Sequence, residues 1–556
     1  MKSLALPRLP AMLFLLSLQV AGAAEPPPAP SAELIEAGRK IYEQGIQPNG
    51  EPLAGTREGG TVVSGADAAC INCHRRTGLG SYEGSVIVPP VIGQALFGKF
   101  RKPGERAPRR TAGMKYLDFD FHTRPPYDDA TLARALRTGV STSGYTFRYL
   151  MPRYELDDVA LQALSAYLRT LVASQSPGVE SPYVHFASVI APGIDASRRK
   201  IFLDTLRACF DERSPTLRGP AGEKGHGAGT QRWQLHVWEL EGDPSTWKAQ
   251  LEKRYAARPV FALLSGLGND QWEPVHEFCA RQSIPCLFPN TDVPGDGENF
   301  YNFYFSRGVM LDAQVLARYL MDEASRLGIK RVIQVAGSGR AETVSAATLR
   351  DALAASEIAL EQRPFPGAAG DARQPARHGF EDLGPSDALV LWLRQADLAA
   401  FAARLGTPPG GSSVFVSGRL VEPERVPLKP AWRNATRLVY PFDPPGRWAL
   451  RVGFNLEPWL DKHRLPATDK RLQGSIVTAC AILSESLGRT QGLMMRDYLV
   501  EAVEYLGDNS NAPATAPYPR FTLGPTQRAA SKGGYVVRLG DAESGELVRD
   551  SDWIVP

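Results

Sequence analysis

The sequence predicts a multidomain chain, with a small helical region followed by a long α/β region built on parallel sheets. Three observations carry this. A length of 556 residues exceeds what one hydrophobic core fills. Residues 31–172 show helical spacing of apolar side chains around a single Cys-x-x-Cys-His group. From Tyr183 onward, strand-type runs alternate with helical ones, the pattern of sheets covered by helices on both faces. Composition bounds the rest. With 43% hydrophobic and 22% charged residues, wholesale disorder and a multi-span membrane protein are both excluded. A net charge of +3 is too weak a bias to suggest a nucleic-acid partner.

The chain opens on Lys2 and Arg8, an apolar run over residues 11–20, and the small-x-small triplet Ala21-Gly22-Ala23. This order predicts a secretory signal peptide over residues 1–23, cut after Ala23 or Ala24. A membrane anchor would need about 20 apolar residues, and Gln19 and Glu25-Pro26-Pro27-Pro28 end the run early, so no span is expected in the mature chain. The expected location is the periplasm, an oxidising compartment.

Two of the six cysteines stand in Cys70-Ile71-Asn72-Cys73-His74. Thiols three positions apart can each add to one vinyl group of a haem while the adjacent imidazole reaches the iron from the same turn. The expected cofactor is therefore one covalently attached haem c, held by Cys70 and Cys73 with His74 as proximal ligand. A redox Cys-x-x-Cys would prefer a thioredoxin-like setting, and a zinc knuckle would need a second ligand pair. An electron carrier needs a sixth ligand. Met151 precedes Pro152, which favours an extended loop, and a helix begins at Asp157-Asp158 with Leu161, Leu164, Leu168 and Leu171 on one face. Met151 is thus the preferred distal ligand, with Met114 and His122 as alternatives.

These residues resemble class I c-type cytochromes. Gly38 and Tyr42 on the first helix, the Cys-x-x-Cys-His group, Met151-Pro152 and the closing Ala166-Tyr167-Leu168-Arg169-Thr170-Leu171 follow that family's order. The resemblance covers residues 31–172 and implies an all-α cytochrome c domain whose first and last helices cross, with Gly38 admitting Tyr167. It also implies that a proline carbonyl, from Pro89 or Pro90, receives the second N–H of His74. A basic insertion over residues 101–110 departs from the family; it is read as a solvated loop or as a docking patch for an acidic redox partner.

Residues 173–181 read as a linker, and residues 182–556 as a second domain. Strands are expected at 184–190, 233–240, 260–264, 285–288, 331–336, 388–393 and 414–416. Helices are expected at 196–210, 246–257, 271–281, 311–327, 342–355 and 398–405. Residues 222–229 look like a Gly-rich surface insertion. The region is similar to type I periplasmic solute-binding proteins of the branched-chain amino acid kind. The likeness rests on 260–268 running into a helix, Ser283 to Thr291, Phe303-Tyr304-Phe305-Ser306-Arg307, and the closing 533–539 and 553–556. It implies two lobes with a cleft between them, and by position the cleft residues are Ser265, Asn269, Asn290, Thr291 and Tyr304. In that likeness Asn269-Asp270 stands where a hydroxyl is usual, and Asp270 would repel an anion. Gly337-Ser338-Gly339 lacks the third glycine of a dinucleotide fingerprint and reads as a tight turn. Cys209, Cys279, Cys286 and Cys480 allow three full pairings or remain buried thiols.

The expected function is that of an exported electron carrier, not an enzyme, whose second domain docks a partner or senses a small-molecule solute. The resemblance suggests a periplasmic redox partner such as a quinoprotein dehydrogenase. The alternative is a solute-binding receptor of a transport system with an accessory haem domain.

Overall fold

The computed structural model describes residues 30–83, 86–98, 124–213, 231–295, 300–365, 379–426, 428–490, 492–509, 515–540 and 546–556. The expected signal peptide, the basic insertion at 101–110, Met114, His122 and the Gly-rich stretch 222–229 lie outside them. Two compact units emerge, Met1–Cys70 with Tyr127–Thr170, and Ile71–Pro126 with Leu171–Pro556. This division follows a different line from the sequence boundary near residue 172, because Ile71–Pro126 sorts with the larger unit.

In the smaller unit, helix Ala32–Gln44 begins at Ser31, whose hydroxyl accepts the Leu34 N–H at 3.2 Å, and stops at Gly45 in the left-handed region. It packs on helix Asp158–Thr170, which starts where the Asp157 carboxylate accepts the Ala160 N–H at 2.7 Å. Gly38 makes the crossing possible, since a Cβ there would lie 2.0 Å from the Ala163 carbonyl oxygen and 2.8 Å from Tyr167 Cβ. Leu161, Leu164 and Leu168 are buried as their spacing predicts, each stabilising by roughly 2 kcal/mol. The unit is not all-α, however. Strands Ala54–Thr56, Val62–Ser64 and Arg153–Glu155 form a small antiparallel sheet. Gly59 and Gly60, both at positive φ, turn the first hairpin. Three-residue strands are too short to show alternation, which is why the sequence pattern misses them.

The larger unit holds two seven-stranded sheets. In the first lobe, Tyr183–Ile190 is flanked by parallel Arg232–Glu239 and Ala262–Leu264, followed by Cys286–Leu287, Asn302–Ser306 and Ala529–Ser531. Val179–Glu180 adds an antiparallel edge. In the second lobe the order is Ala359–Pro364, Arg331–Ala336, Asp387–Trp392, Ser413–Ser417 and Thr436–Tyr440, all parallel, closed by antiparallel Tyr535–Leu539 and Leu547–Arg549. Strands buried on both faces must be apolar throughout, and Ala388 to Trp392 are fully buried. Helices cover both faces of each sheet. Lys470–Thr490 and Arg496–Asn509 return to the first lobe and supply much of one core, including Ile476, Leu483, Leu499 and Val503. The chain passes between lobes after Ser306, after Tyr440 and after Ser531.

The expected linker is held rather than free. The Ser176 N–H donates to the Met494 carbonyl at 2.8 Å, and the Ser176 hydroxyl accepts the Arg496 N–H at 3.0 Å.

Candidate functional sites

Ile71–His74 forms a single helical turn, ended by Arg75 in the left-handed region. His74 is buried, and its Nδ1 lies 2.9 Å from the Pro89 carbonyl oxygen. A carbonyl can only accept, so Nδ1 carries the proton and Nε2 keeps a lone pair. Pro89, not Pro90, supplies this contact. Burial pushes the His74 pKa down to about 4 against the opposing pull of that hydrogen bond, so the ring is neutral at neutral pH. The loop beyond is tightly drawn: the Gly80 N–H donates to the His74 carbonyl, and a Cβ at Gly80 would lie 2.1 Å from the Val88 carbonyl oxygen. Ser81 Oγ donates to the Cys73 carbonyl at 2.8 Å.

The same loop is anchored to helix Arg496–Asn509. The Thr77 N–H donates to one carboxyl oxygen of Glu501 at 2.8 Å, and the Thr77 hydroxyl is hydrogen-bonded to the other at 2.7 Å. Arg76 lies 3.6 Å from Asp497 and 4.6 Å above the Phe300 ring. Burial pushes the Glu501 pKa up to about 8, with Glu504 and Asp497 adding to the rise and the Thr77 hydrogen bonds opposing it. Sequence reading missed Thr77 and Glu501, which are 424 positions apart. Cys70 is buried and Cys73 half-buried. Met151 is half-buried in the smaller unit and precedes strand Arg153–Glu155; its carbonyl accepts from Arg153 Nη1 at 2.6 Å.

The second site lies where strands of the two lobes end. Each expected cleft residue is engaged internally. Asn290 Nδ2 donates to Ser265 Oγ at 3.0 Å, and Ser265 itself is buried at φ 55°. Asn269 caps the Gln271 N–H at 3.1 Å, and Thr291 Oγ1 donates to the Asn269 carbonyl at 2.5 Å. The Tyr304 hydroxyl meets His276 Nδ1 at 2.7 Å within the core. What bridges the lobes is a set of charges that the sequence did not single out, apart from Asp270. Asp270 Oδ2 accepts the Ala341 N–H at 3.2 Å, at the start of helix Arg340–Leu353. Arg394 donates to Asp292 at 3.1 Å and lies 3.7 Å from Glu342. Burial works against the Arg394 charge, but Asp292, Glu342 and Asp270 outweigh it and hold the guanidinium above its ordinary pKa. Gly337 and Gly339 form the expected tight turn, which leaves room for the Glu342 carboxylate: a Cβ at Gly339 would meet it at 2.3 Å. At the lobe connections, Ser417 donates to buried Asp312 at 2.6 Å, and Arg419 Nη2 donates to Ser306 at 2.9 Å.

Two parallel-sheet lobes joined by three connecting passages define a known architecture, and solved structures match it. A fatty acid ABC transporter substrate-binding protein from Thermomonospora curvata aligns at a TM-score of 0.50 with 14% identity, covering 69% of this chain and 95% of its own. The larger unit has the type I periplasmic binding-protein fold. A branched-chain amino acid ABC transporter protein from Thermus thermophilus with bound valine aligns at 0.50 with 12% identity, covering 67% of this chain and 97% of its own. No family model matches the sequence, and no curated protein matches it. Among the described residues, no helix of this binding-protein fold or of the smaller unit is long and apolar enough to cross a membrane.

Proposed function

We propose that the chain is an exported electron carrier in which a type I binding-protein fold is joined to one covalently attached haem c. The observation that carries this reading is the Cys70-Ile71-Asn72-Cys73-His74 turn with the His74 Nδ1 proton committed to the Pro89 carbonyl. The residues fit such a group. Cys70 and Cys73 would bond such a group through their sulfurs, neutral His74 would offer Nε2 to its iron, and Met151 would offer a thioether sulfur. When bound, a haem so held would supply reversible one-electron transfer. The chain's own residues do the positioning. The Pro89 carbonyl fixes the imidazole tautomer and raises its basicity, as carbonyl partners of metal-bound histidines do. Glu501 holds the loop through Thr77.

In this reading the binding-protein half docks a periplasmic redox partner, such as a quinoprotein dehydrogenase, or senses a solute that tunes transfer. The alternative, a transport receptor with an accessory haem, draws support from the fold and from what the matched proteins are called. Against capture of an amino-acid carboxylate, the N-terminus of helix Arg340–Leu353 already accommodates the Asp270 carboxylate. Purified full-length protein separates the readings. Rapid one-electron reduction by a periplasmic dehydrogenase, with no melting shift across a panel of amino acids and fatty acids, supports the carrier. A solute-dependent rise in melting temperature with no reduction by any dehydrogenase would support the receptor.

A further inference from the structure

Four cysteines outside the haem motif fall into two adjacent pairs. Cys209 lies on helix Ala196–Arg213 and Cys480 on helix Lys470–Thr490, which pack together in one core of the first lobe. Cys279 lies near the end of helix Glu273–Arg281, and Cys286 opens strand Cys286–Leu287. The turn between them is closed by the Ile284 N–H donating to the Cys279 carbonyl at 2.9 Å. The two members of each pair share one core and stand there as free thiols. All four side chains are buried, at 3% exposure or less.

The first-lobe sheet separates the two pairs. Phe186, Leu264 and Leu287 point to the core that holds Cys209 and Cys480, whereas Ala187, Leu263 and Cys286 point to the core that holds Cys279. Of the three full pairings the sequence allows, two would draw a bond through the sheet, which leaves one. We propose that the exported protein carries two disulfides, Cys209–Cys480 and Cys279–Cys286. This rests on the proposed export to an oxidising compartment.

The chemistry closes by thiol–disulfide exchange. For each pair one Sγ–Sγ bond forms, two thiol protons are released, and the two electrons reduce the disulfide of an oxidising dithiol protein of the export compartment to its dithiol. Timing follows from the surroundings. The neighbouring Cys480 thiol and burial hold the Cys209 thiol well above the usual range, and burial and the neighbouring Cys286 do the same for Cys279. The thiolate is the attacking species, so exchange takes place while the lobe is still forming and its cysteines are accessible. Cys70 and Cys73 are outside this set, their sulfurs being assigned to the haem.

The test uses full-length protein from the periplasmic fraction, denatured without reductant and alkylated, then reduced and alkylated with a heavy-isotope form of the same reagent. The expected result is heavy label alone on Cys209, Cys279, Cys286 and Cys480. A non-reducing digest should give cross-linked peptides joining Cys209 to Cys480 and Cys279 to Cys286. Light label on both members of a pair overturns the assignment for that pair, and a cross-link between any other two of the four overturns both. Thioether-bound Cys70 and Cys73 take neither label, so label on those two counts against the haem proposal and leaves the disulfide result to be read separately.

Discussion

Replacing Glu501 by glutamine should remove a pH dependence of stability that this one carboxyl imposes. Its pKa is raised from 4.5 to about 8, chiefly by burial. Between those values the folded chain holds a proton that the unfolded chain has lost. The unfolded state binds fewer protons there, so stability falls as pH rises through the window. At about 1.4 kcal/mol per pH unit where the slope is full, the loss is roughly 3 kcal/mol between pH 4.5 and 7, and roughly 4 kcal/mol by pH 8. A carboxamide matches the protonated carboxyl in shape, with one oxygen to accept the Thr77 N–H and an NH2 to donate to Thr77 Oγ1. Glu501→Gln should therefore melt close to the wild type at pH 5 and well above it at pH 8. Thermal unfolding followed by circular dichroism over that range reads the difference, and comparing the two proteins cancels other titrating groups, such as Asp312, whose pKa burial raises to about 6. Melting temperatures that run parallel across the range, or a wild type that gains on the variant as pH rises, would refute the reasoning.

Three further outcomes follow from named contacts. Gly38→Ala should cost about 3 kcal/mol or prevent folding of the smaller unit, because the new methyl would collide with the Ala163 carbonyl, which is backbone and cannot turn aside; soluble yield and melting temperature are the readouts. Arg394→Ala should lower stability by about 1 to 2 kcal/mol, since the partly exposed Asp292 pair contributes little and the buried Glu342 carboxylate loses its counter-charge; a denaturant titration measures it, and an unchanged midpoint would dismiss the bridge. Met151→Ala should leave haem attached while lowering its potential and admitting carbon monoxide, as read by potentiometry and visible spectra. If Met114→Ala does this instead, the distal assignment is wrong.

Much of the architecture was legible because parallel strands buried on both faces must be apolar. Residues 388–393 and 414–416 announce themselves this way, and the structure sets strands at Asp387–Trp392 and Ser413–Ser417. Helix spacing likewise located Ala196–Arg213 and Val309–Leu327 to within a few residues. Edge strand Ala359–Pro364 was not assigned, because its Glu361, Gln362 and Arg363 carry no apolar run. The haem-type motif was visible as a short local pattern, while the proline carbonyl was implied only by the family resemblance, and choosing Pro89 over Pro90 required the loop geometry. The bridge among Asp270, Asp292, Glu342 and Arg394 joins loops and a helix start from both lobes, and no local periodicity records such a meeting. Cysteine pairing is hidden for the same reason: Cys209 and Cys480 meet only once two distant helices pack.

The measurement that bears most directly on the proposed function is the intact mass of the chain from the periplasm, taken beside a haem stain of the denatured protein and an acidic organic extraction. The account predicts one haem per processed chain, retained through denaturation and extraction, and lost when Cys70 and Cys73 are both replaced by serine. A haem that passes into the solvent, or a processed chain whose mass leaves no room for one, would contradict it.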